Sequence, residues 1–323
     1  MRSPVPHRVA TTLITLVVPL VVLGAAVLVA LSWSADLPDP VAVHWGTDGP
    51  AGFGTLASAI VPIVVVGALL AMGAWALAFL AGHSASTRRI AAGSSVGMSA
   101  FLGVVLLGPL DAQRGLADAT QASGVTTSLL VAIAAGIAAG AVAALVTPGD
   151  ADQPSTRPVA ADAPRLALAG SERAVWHRSA FSRSTLVVGV AAVLVILVLT
   201  VVTRVWPLGL LAVLLAVLLL TMVAFDVTVD ERGLVARGLL GWPTLRVPLA
   251  EVVAAGVTTV QPMKDFGGWG YRLGRGGRTG IVLRGGDALE VRRTGDRVAV
   301  ITVDDAETGA ALLNTLADRA RTA

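Results

Sequence analysis

Two groups of residues in this chain have the types and spacing for chemistry. The first is Asp36, Asp39, His44 and Asp48, one imidazole and three carboxylates within thirteen positions. Imidazole and carboxylate together suit zinc or manganese, so a divalent cation is one reading. A histidine hydrogen-bonded among turn-forming aspartates is the other. The second group is basic: Arg272, Arg275 and Arg278 follow Gly267-Gly268-Trp269-Gly270-Tyr271, a glycine-rich loop suited to anionic lipid headgroups. Turns with a solvated charged face are the alternative there. That loop lacks the lysine-serine ending of a P-loop and the spacing of a dinucleotide fingerprint. There is no cysteine, which removes disulfides, thiolate metal sites and cysteine nucleophiles together. No serine-histidine-aspartate, paired-carboxylate or zinc-protease pattern is legible, so the expectation is a chain that is not an enzyme and carries no cofactor or metal.

The elements that must position these groups are unusual. Of 323 residues, 55% are hydrophobic and 14% charged, against roughly 25% charged in soluble domains. Surface this apolar calls for a bilayer as solvent. Residues 9–35, 49–87, 90–110, 119–149, 184–203 and 205–225 contain no Asp, Glu, Lys or Arg. About 20 apolar residues span a hydrocarbon core of roughly 30 Å, which predicts six helices near 9–32, 57–81, 90–110, 126–147, 184–203 and 206–225. Arg204-Val205-Trp206-Pro207 supplies a charge, an interfacial aromatic and a helix breaker, making the last two a hairpin.

Arginine sets the orientation. Arg2 and Arg8 precede the first span, Arg88 and Arg89 lie between the second and third, and Arg157, Arg165, Arg173, Arg178 and Arg183 lie between the fourth and fifth. The other side carries only Arg114 and Arg204, so the positive-inside rule places both termini in the cytoplasm. The apolar stretch at the N-terminus exceeds the 7–15 residues of a signal peptide, and it is expected to stay as an anchor. Arginine used almost to the exclusion of lysine, with abundant Ala, Val and Gly, is what a GC-rich bacterial genome writes. The formal charge of +3 is too small to imply nucleic acid.

Within the spans no ionisable group is available for a proton relay, although Ser and Thr hydroxyls leave a transporter or channel open as an alternative. Ala132, Gly136, Gly140 and Ala144 repeat at every fourth position, as do Gly93 and Gly97. That spacing predicts close helix packing within one bundle, or dimerisation. Between the first two spans, loop 33–56 holds Pro38, Pro40 and Pro50, four glycines, and apolar Val41, Val43, Trp45 and Phe53, which predicts a compact cap.

Leu37-Pro38-Asp39, His44-Trp45, Gly49 and Phe53-Gly54, placed just after a first span, resemble the signature of a bacterial membrane family, domain of unknown function 1648, whose relatives include the SdpI-type immunity proteins. The resemblance covers about the first 60 residues and departs from the family at Ala42, usually proline, and Ala51, usually acidic. It implies a non-enzymatic envelope role, such as protection from a toxin, with Leu37, Pro38, Asp39, His44, Trp45 and Gly49 as the candidate binding surface.

The remainder is expected to be cytoplasmic. Residues 1–147 form the four-helix region; 148–183 is a linker, flexible to 165 and then either an interfacial segment or a basic flank; 184–225 is the hairpin. From 226 to 323 the alternation of Val227 and Val229 with polar residues opens a small β barrel or sandwich. Strands are predicted at 244–248, 254–260, 280–284, 288–294 and 297–303 as well. Asp304 is expected to cap a closing helix with Glu307, and Ala306, Ala310, Leu313, Leu316, Ala317 and Ala320 to cover the sheet. This order of elements, with Ser171-Glu172-Arg173-Ala174-Val175-Trp176 before the hairpin, resembles bacterial pleckstrin-homology-like domains, which implies a binding or assembly module. The expected partners are the bilayer, anionic headgroups and a protein at either face. The expected class is therefore a six-helix membrane bundle with a β-rich C-terminal domain, a sensor, immunity protein or scaffold. A metal-dependent enzyme on the outer face stands as a further alternative.

Overall fold

The computed structural model describes residues 5–46, 49–151, 153–156, 158–169, 172–274 and 278–322. Arg2, Arg157, Asp48, Ser171 and Arg275, singled out above, lie outside them. The chain divides into two compact units, one spanning Val5–Asp150 and one taking in Ala151–Ala323.

In the first unit, α1 (Arg8–Ser32) is followed by the hairpin β1 (Val41–Gly46) and β2 (Gly49–Gly54), then α2 (Leu56–Ala81), α3 (Ala85–Asp111) and α4 (Thr126–Val146). All four helices are long and apolar enough to cross a membrane. The most enclosed is α3, which packs on α1, α2 and α4. Its small residues permit this. A Cβ on Gly97 would lie 2.7 Å from the Gly136 carbonyl oxygen, and one on Gly140 the same distance from that of Gly93, so the two glycine repeats face each other across the α3–α4 contact.

Polar groups inside this bundle are matched to helix irregularities. Residues Leu13–Val17 of α1 are π-helical, and Pro19 has no N–H to offer the carbonyl four residues back, that of Thr15. The buried Ser95 hydroxyl of α3 donates to that carbonyl at 2.8 Å. Thr15 and Ser99 donate to the carbonyls of Thr11 and Ser95 in their own helices.

Helix α3 starts five residues before the predicted third span, with the Ser84 hydroxyl accepting from the Thr87 N–H. Arg88 and Arg89 are therefore helical rather than part of a solvated connector. Arg88 is 0% exposed. Its guanidinium donates to the carbonyls of Gly82, Pro148 and Gly149 and to the Asp150 carboxylate at 3.1 Å, while Asp150 also accepts from the Ala85 N–H at 2.7 Å. One ion pair thus ties the α2–α3 turn to the end of α4.

The second unit runs β3 (Trp176–Phe181), α5 (Arg183–Thr203), α6 (Pro207–Met222), β4 (Ala224–Asp230), β5 (Gly233–Gly238), β6 (Thr244–Pro248), β7 (Val252–Val260), α7 (Pro262–Phe266), β8 (Gly270–Leu273), β9 (Arg278–Val282), β10 (Gly286–Arg293), β11 (Arg297–Thr302) and α8 (Ala306–Thr322). Helix α5 is the fifth of membrane-crossing length; α6 has 16 residues and falls below it. The four-stranded sheet has the order β3-β4-β5-β6 and the five-stranded one β7-β10-β11-β9-β8, antiparallel throughout except between β11 and β9. Alternate side chains of both sheets, among them Phe225, Val227, Val229, Leu234, Ile281, Leu289 and Ile301, meet α8 in one core.

The structure corrects the sequence reading in four places. The sixth helix stops at Met222, because Phe225, with the phase of Val227 and Val229, enters the β core. Segment 166–183 supplies β3, whose Trp176 is 4% exposed in that core; as an edge strand it pairs with β4 from the far side of the helical hairpin, a partner invisible to local pattern. The linker before it is bound, not free. Arg165 donates to the carbonyls of Val159 and Ala163, Arg319 to those of Leu168 and Ala169, and Asn314, fully buried, bonds Ala255 and the Pro164 carbonyl, so chain 159–169 lies along α8. Finally, Ala320 is exposed, and Asp305 rather than Asp304 precedes the helix.

Asp305 accepts from the Thr308 hydroxyl at 2.5 Å, the Trp176 indole at 3.2 Å and Arg178 at 2.6 Å. The Thr308 hydroxyl chiefly, with Trp176 and Arg178 and against some burial, holds its carboxyl below the ordinary 3.8. A depressed carboxylate stabilises the fold above its unfolded pKa, and the contribution is lost as pH falls through the folded one. Asp305→Ala is therefore expected to cost about 1–2 kcal/mol at neutral pH. Thermal unfolding in detergent should show that gap from wild type narrowing once the pH drops below the ordinary carboxylate range.

Candidate functional site

The loop at the β1–β2 end of the first unit is held by a side chain that carries no sequence signal. Gln113, fully buried just past α3, accepts from the Ala42 N–H at 2.6 Å and donates to the Ala42 carbonyl at 3.1 Å and to the Pro109 carbonyl at 3.0 Å. It pairs with β1 as a strand neighbour would. The register of β1 on β2 shifts around Ala42–Trp45, and Val41 and Ala42 are both buried, so strict alternation fails there.

A second set of bonds joins the two loops at this end. The Gly115 N–H donates to the Asp36 carbonyl at 2.7 Å, and Arg114 lies over the Trp33 ring at 4.7 Å while pairing with Asp111 at 3.2 Å. Val41 packs with Ala30, Ile60, Leu106 and Leu110, and Leu37 and Val43 lie against them. Loops 33–55 and 112–125 therefore form one platform on the helix ends.

Between these loops lies a cleft of about 370 Å³ lined by Pro38, Asp39, Pro40 and Phe53 from the first loop and Ala117–Thr120 from the second. Phe53, one of the apolar residues of the expected cap, is 42% exposed and forms part of its wall. Asp118 holds the short 3-10 turn Ala119–Gln121 by accepting from the Thr120 N–H at 2.8 Å, and the backbone and side chain of Thr120 keep its carboxyl below the ordinary range. The cleft thus presents two carboxylates, Asp39 and Asp118, beside an aromatic ring. That chemistry fits a basic group on an apolar body.

The six candidate loop residues separate by role. Pro38 and Asp39 line the cleft; Leu37 packs on the core beneath it. His44 is exposed on β1 opposite Gly52, where a Cβ would lie 3.0 Å from that of His44. The indole N–H of Trp45 is enclosed, with no hydrogen-bond partner among the described residues. Gly49 has φ +127°, a backbone state that favours glycine, at the hairpin turn. No group of three or more His, Cys, Asp or Glu side chains converges for a metal ion among the described residues, with Asp48 outside them.

The basic loop of the second unit is arranged differently from expectation. Residues Gly270–Leu273 are strand β8, paired with β9. Arg272 donates through Nε to the Trp269 carbonyl at 2.6 Å; Arg278 stands over the Phe266 ring at 5.1 Å and pairs with Glu290 at 3.5 Å. Both guanidinium groups have protein partners; Arg275 lies outside the described residues.

No family model, curated protein or solved structure matches this chain.

Proposed function

We propose that this chain is a non-catalytic protein of a bacterial plasma membrane, crossing it six times with both termini cytoplasmic, and that it recognises a partner outside the cell through the platform of loops 33–55 and 112–125. One observation carries the reading: two loops distant in sequence are hydrogen-bonded into a single surface whose cleft gathers Pro38, Asp39 and Phe53 from the signature stretch with Asp118. The SdpI-type resemblance supports an immunity or sensing role, and the carboxylates favour a basic, amphipathic peptide as the thing recognised.

Support for six crossings comes from the arginine distribution and from the hairpin itself. Helix α6, 16 residues and roughly 24 Å long, is short for a core of about 30 Å, a mismatch met by local thinning and by Arg204 and Trp206 at its turn. The two sheets closed by α8 support a pleckstrin-homology-like assembly module on the inner side. Transport has weaker support, because the buried hydroxyls of Thr15, Ser95 and Ser99 are bonded to helix carbonyls.

The test is a pair of variants, His44→Ala with Trp45→Ala and Asp39→Asn with Asp118→Asn, produced at wild-type levels in the membrane and assayed for sensitivity to envelope-active peptides. Raised sensitivity in both is expected. Wild-type resistance in both would remove the platform from the function.

A further inference from the structure

The junctions joining the helical hairpin to the β domain have no slack. One residue, Ser182, separates β3 from α5, and one, Val223, separates α6 from β4; the Ser182 N–H donates to the Val223 carbonyl at 2.9 Å. A helical hairpin is thus set inside a β-hairpin, and the strand ends must lie at the depth where the helices enter hydrocarbon.

Large apolar side chains stand exposed around that root. Phe181 ends β3 at 49% exposed, Trp269 precedes β8 at 39%, and the β5–β6 turn carries Leu239, Leu240 and Trp242 at 57%, 56% and 64%. Their position follows from backbone contacts. The Leu239 N–H donates to the carbonyl of Ala224, first residue of β4. A Cβ on Gly238 would lie 2.8 Å from the Thr221 carbonyl oxygen, and one on Gly270 would touch Met222, so both segments abut the last turn of α6. The opposite end of β4 turns through Asp230-Glu231-Arg232 and is polar. An apolar cluster of this size, two tryptophans among its residues, marks an interaction surface, and tryptophan with leucine at a helix end suits the headgroup layer.

A cleft of about 580 Å³ opens at the same root, lined by Phe181, Arg183, Ser184, Trp269 and Arg284 together with Asp304. Arg284 pairs with the exposed Asp304 at 2.6 Å; Arg183, first residue of α5, has no ion pair among the described residues. Arg284 is thus already partly neutralised by Asp304, and Arg183 supplies the net positive charge of the cleft.

We propose that the hairpin root is a membrane-interface collar in which Leu239, Leu240, Trp242 and Trp269 occupy the headgroup layer, while Arg183 and Arg284 hold the phosphate of an anionic phospholipid in the cleft between Phe181 and Trp269. This rests on α5 and α6 being a membrane-crossing hairpin, and it adds the depth at which the β domain sits and the lipid class it selects. Lipid is chosen over a protein partner because the surface is continuous with helices whose side chains are themselves exposed and apolar.

The absence of cysteine makes single-cysteine reporters free of background. Full-length Leu240→Cys, Trp242→Cys and, as the far-end control, Glu231→Cys carry an environment-sensitive dye in vesicles of phosphatidylcholine with phosphatidylglycerol. Blue-shifted emission quenched by lipids spin-labelled near the carbonyl is expected at 240 and 242 and absent at 231; equal exposure at all three overturns the collar. Phosphatidylglycerol retained through detergent extraction should fall about fivefold per arginine in Arg183→Gln and Arg284→Gln, and excess inorganic phosphate should not displace it. Wild-type retention in the double variant, or displacement by phosphate alone, overturns the headgroup site. Labelling of Val205→Cys at the hairpin tip by an impermeant maleimide, applied from the face opposite the β domain, reports the crossing separately. A tip that crosses without quenching at 240 and 242 defeats the collar alone, and a tip that does not cross defeats the hairpin reading.

Discussion

Arg88→Met is expected to destabilise the first unit by about 3–5 kcal/mol, the cost of removing a fully buried guanidinium from a half-buried carboxylate and three carbonyls together. The methionine fills similar volume, so the loss isolates the guanidinium. Three carbonyls, those of Gly82, Pro148 and Gly149, lose their donor together, and Asp150 loses the guanidinium that neutralises it while keeping the Ala85 N–H. Arg89→Met is the matched control. It removes the same charge from the same segment, one residue along, where the side chain is exposed and donates to the Thr147 carbonyl at a long 3.4 Å; its expected cost is below about 1 kcal/mol. Thermal midpoints of the two purified variants in one detergent decide the matter. Equal midpoints would mean that the clamp contributes nothing beyond its charge. Asp150→Asn should fall between them, since an amide oxygen still accepts from Ala85 but no longer neutralises Arg88.

Gln113→Leu is the second large effect expected, about 3 kcal/mol or more. Leucine conserves shape and orphans the buried N–H and carbonyl of Ala42, at about 1–3 kcal/mol apiece with partial relief by relaxation, and takes the donor from the half-buried carbonyl of Pro109 as well. Gln113→Glu should be no rescue, because a carboxylate can take the Ala42 N–H but faces two carbonyls with nothing to donate. The local readout is amide exchange. Val41–Gly46 should lose protection in both variants while the interior of α4 does not, and unchanged exchange in β1 would show that the hairpin is held by its apolar contacts with Ile60 and Leu106 alone. Because β1 leads from Asp39 and pairs with the strand carrying Phe53, the same variants should weaken the platform's proposed recognition.

How far sequence could anticipate these features follows from the range of the forces involved. The five long apolar helices were legible because hydrocarbon length and the exclusion of charge act on each segment alone. Strand β4 showed through period-two alternation, and β6, β7 and β9 to β11 as short stretches between turn residues, again local properties. Strand β3 and strand β8 did not: the first finds its partner only after 42 residues of helical hairpin have returned to it, from Phe181 to Ala224, and the second is a four-residue piece in a glycine-rich stretch. Leu37, Pro38, Asp39, His44, Trp45 and Gly49 were singled out as one surface, yet only Pro38 and Asp39 line the cleft, and its other wall comes from Asp118 in a loop without a motif.

Charge-free length determined that this chain has helices of membrane-crossing length, and local alternation and turn residues a separate C-terminal β region, since both depend on what each short segment does with water. Tertiary structure alone decided which polar residues are structural: Arg88 and Arg89 are identical in type and adjacent, but one is enclosed by carbonyls arriving from residues 148 and 149 and the other is not. Gln113 and Asp305 acquired their partners in the same way. Satisfying a buried donor or acceptor is a condition on whichever segments meet in space, and no periodicity along the chain encodes that meeting.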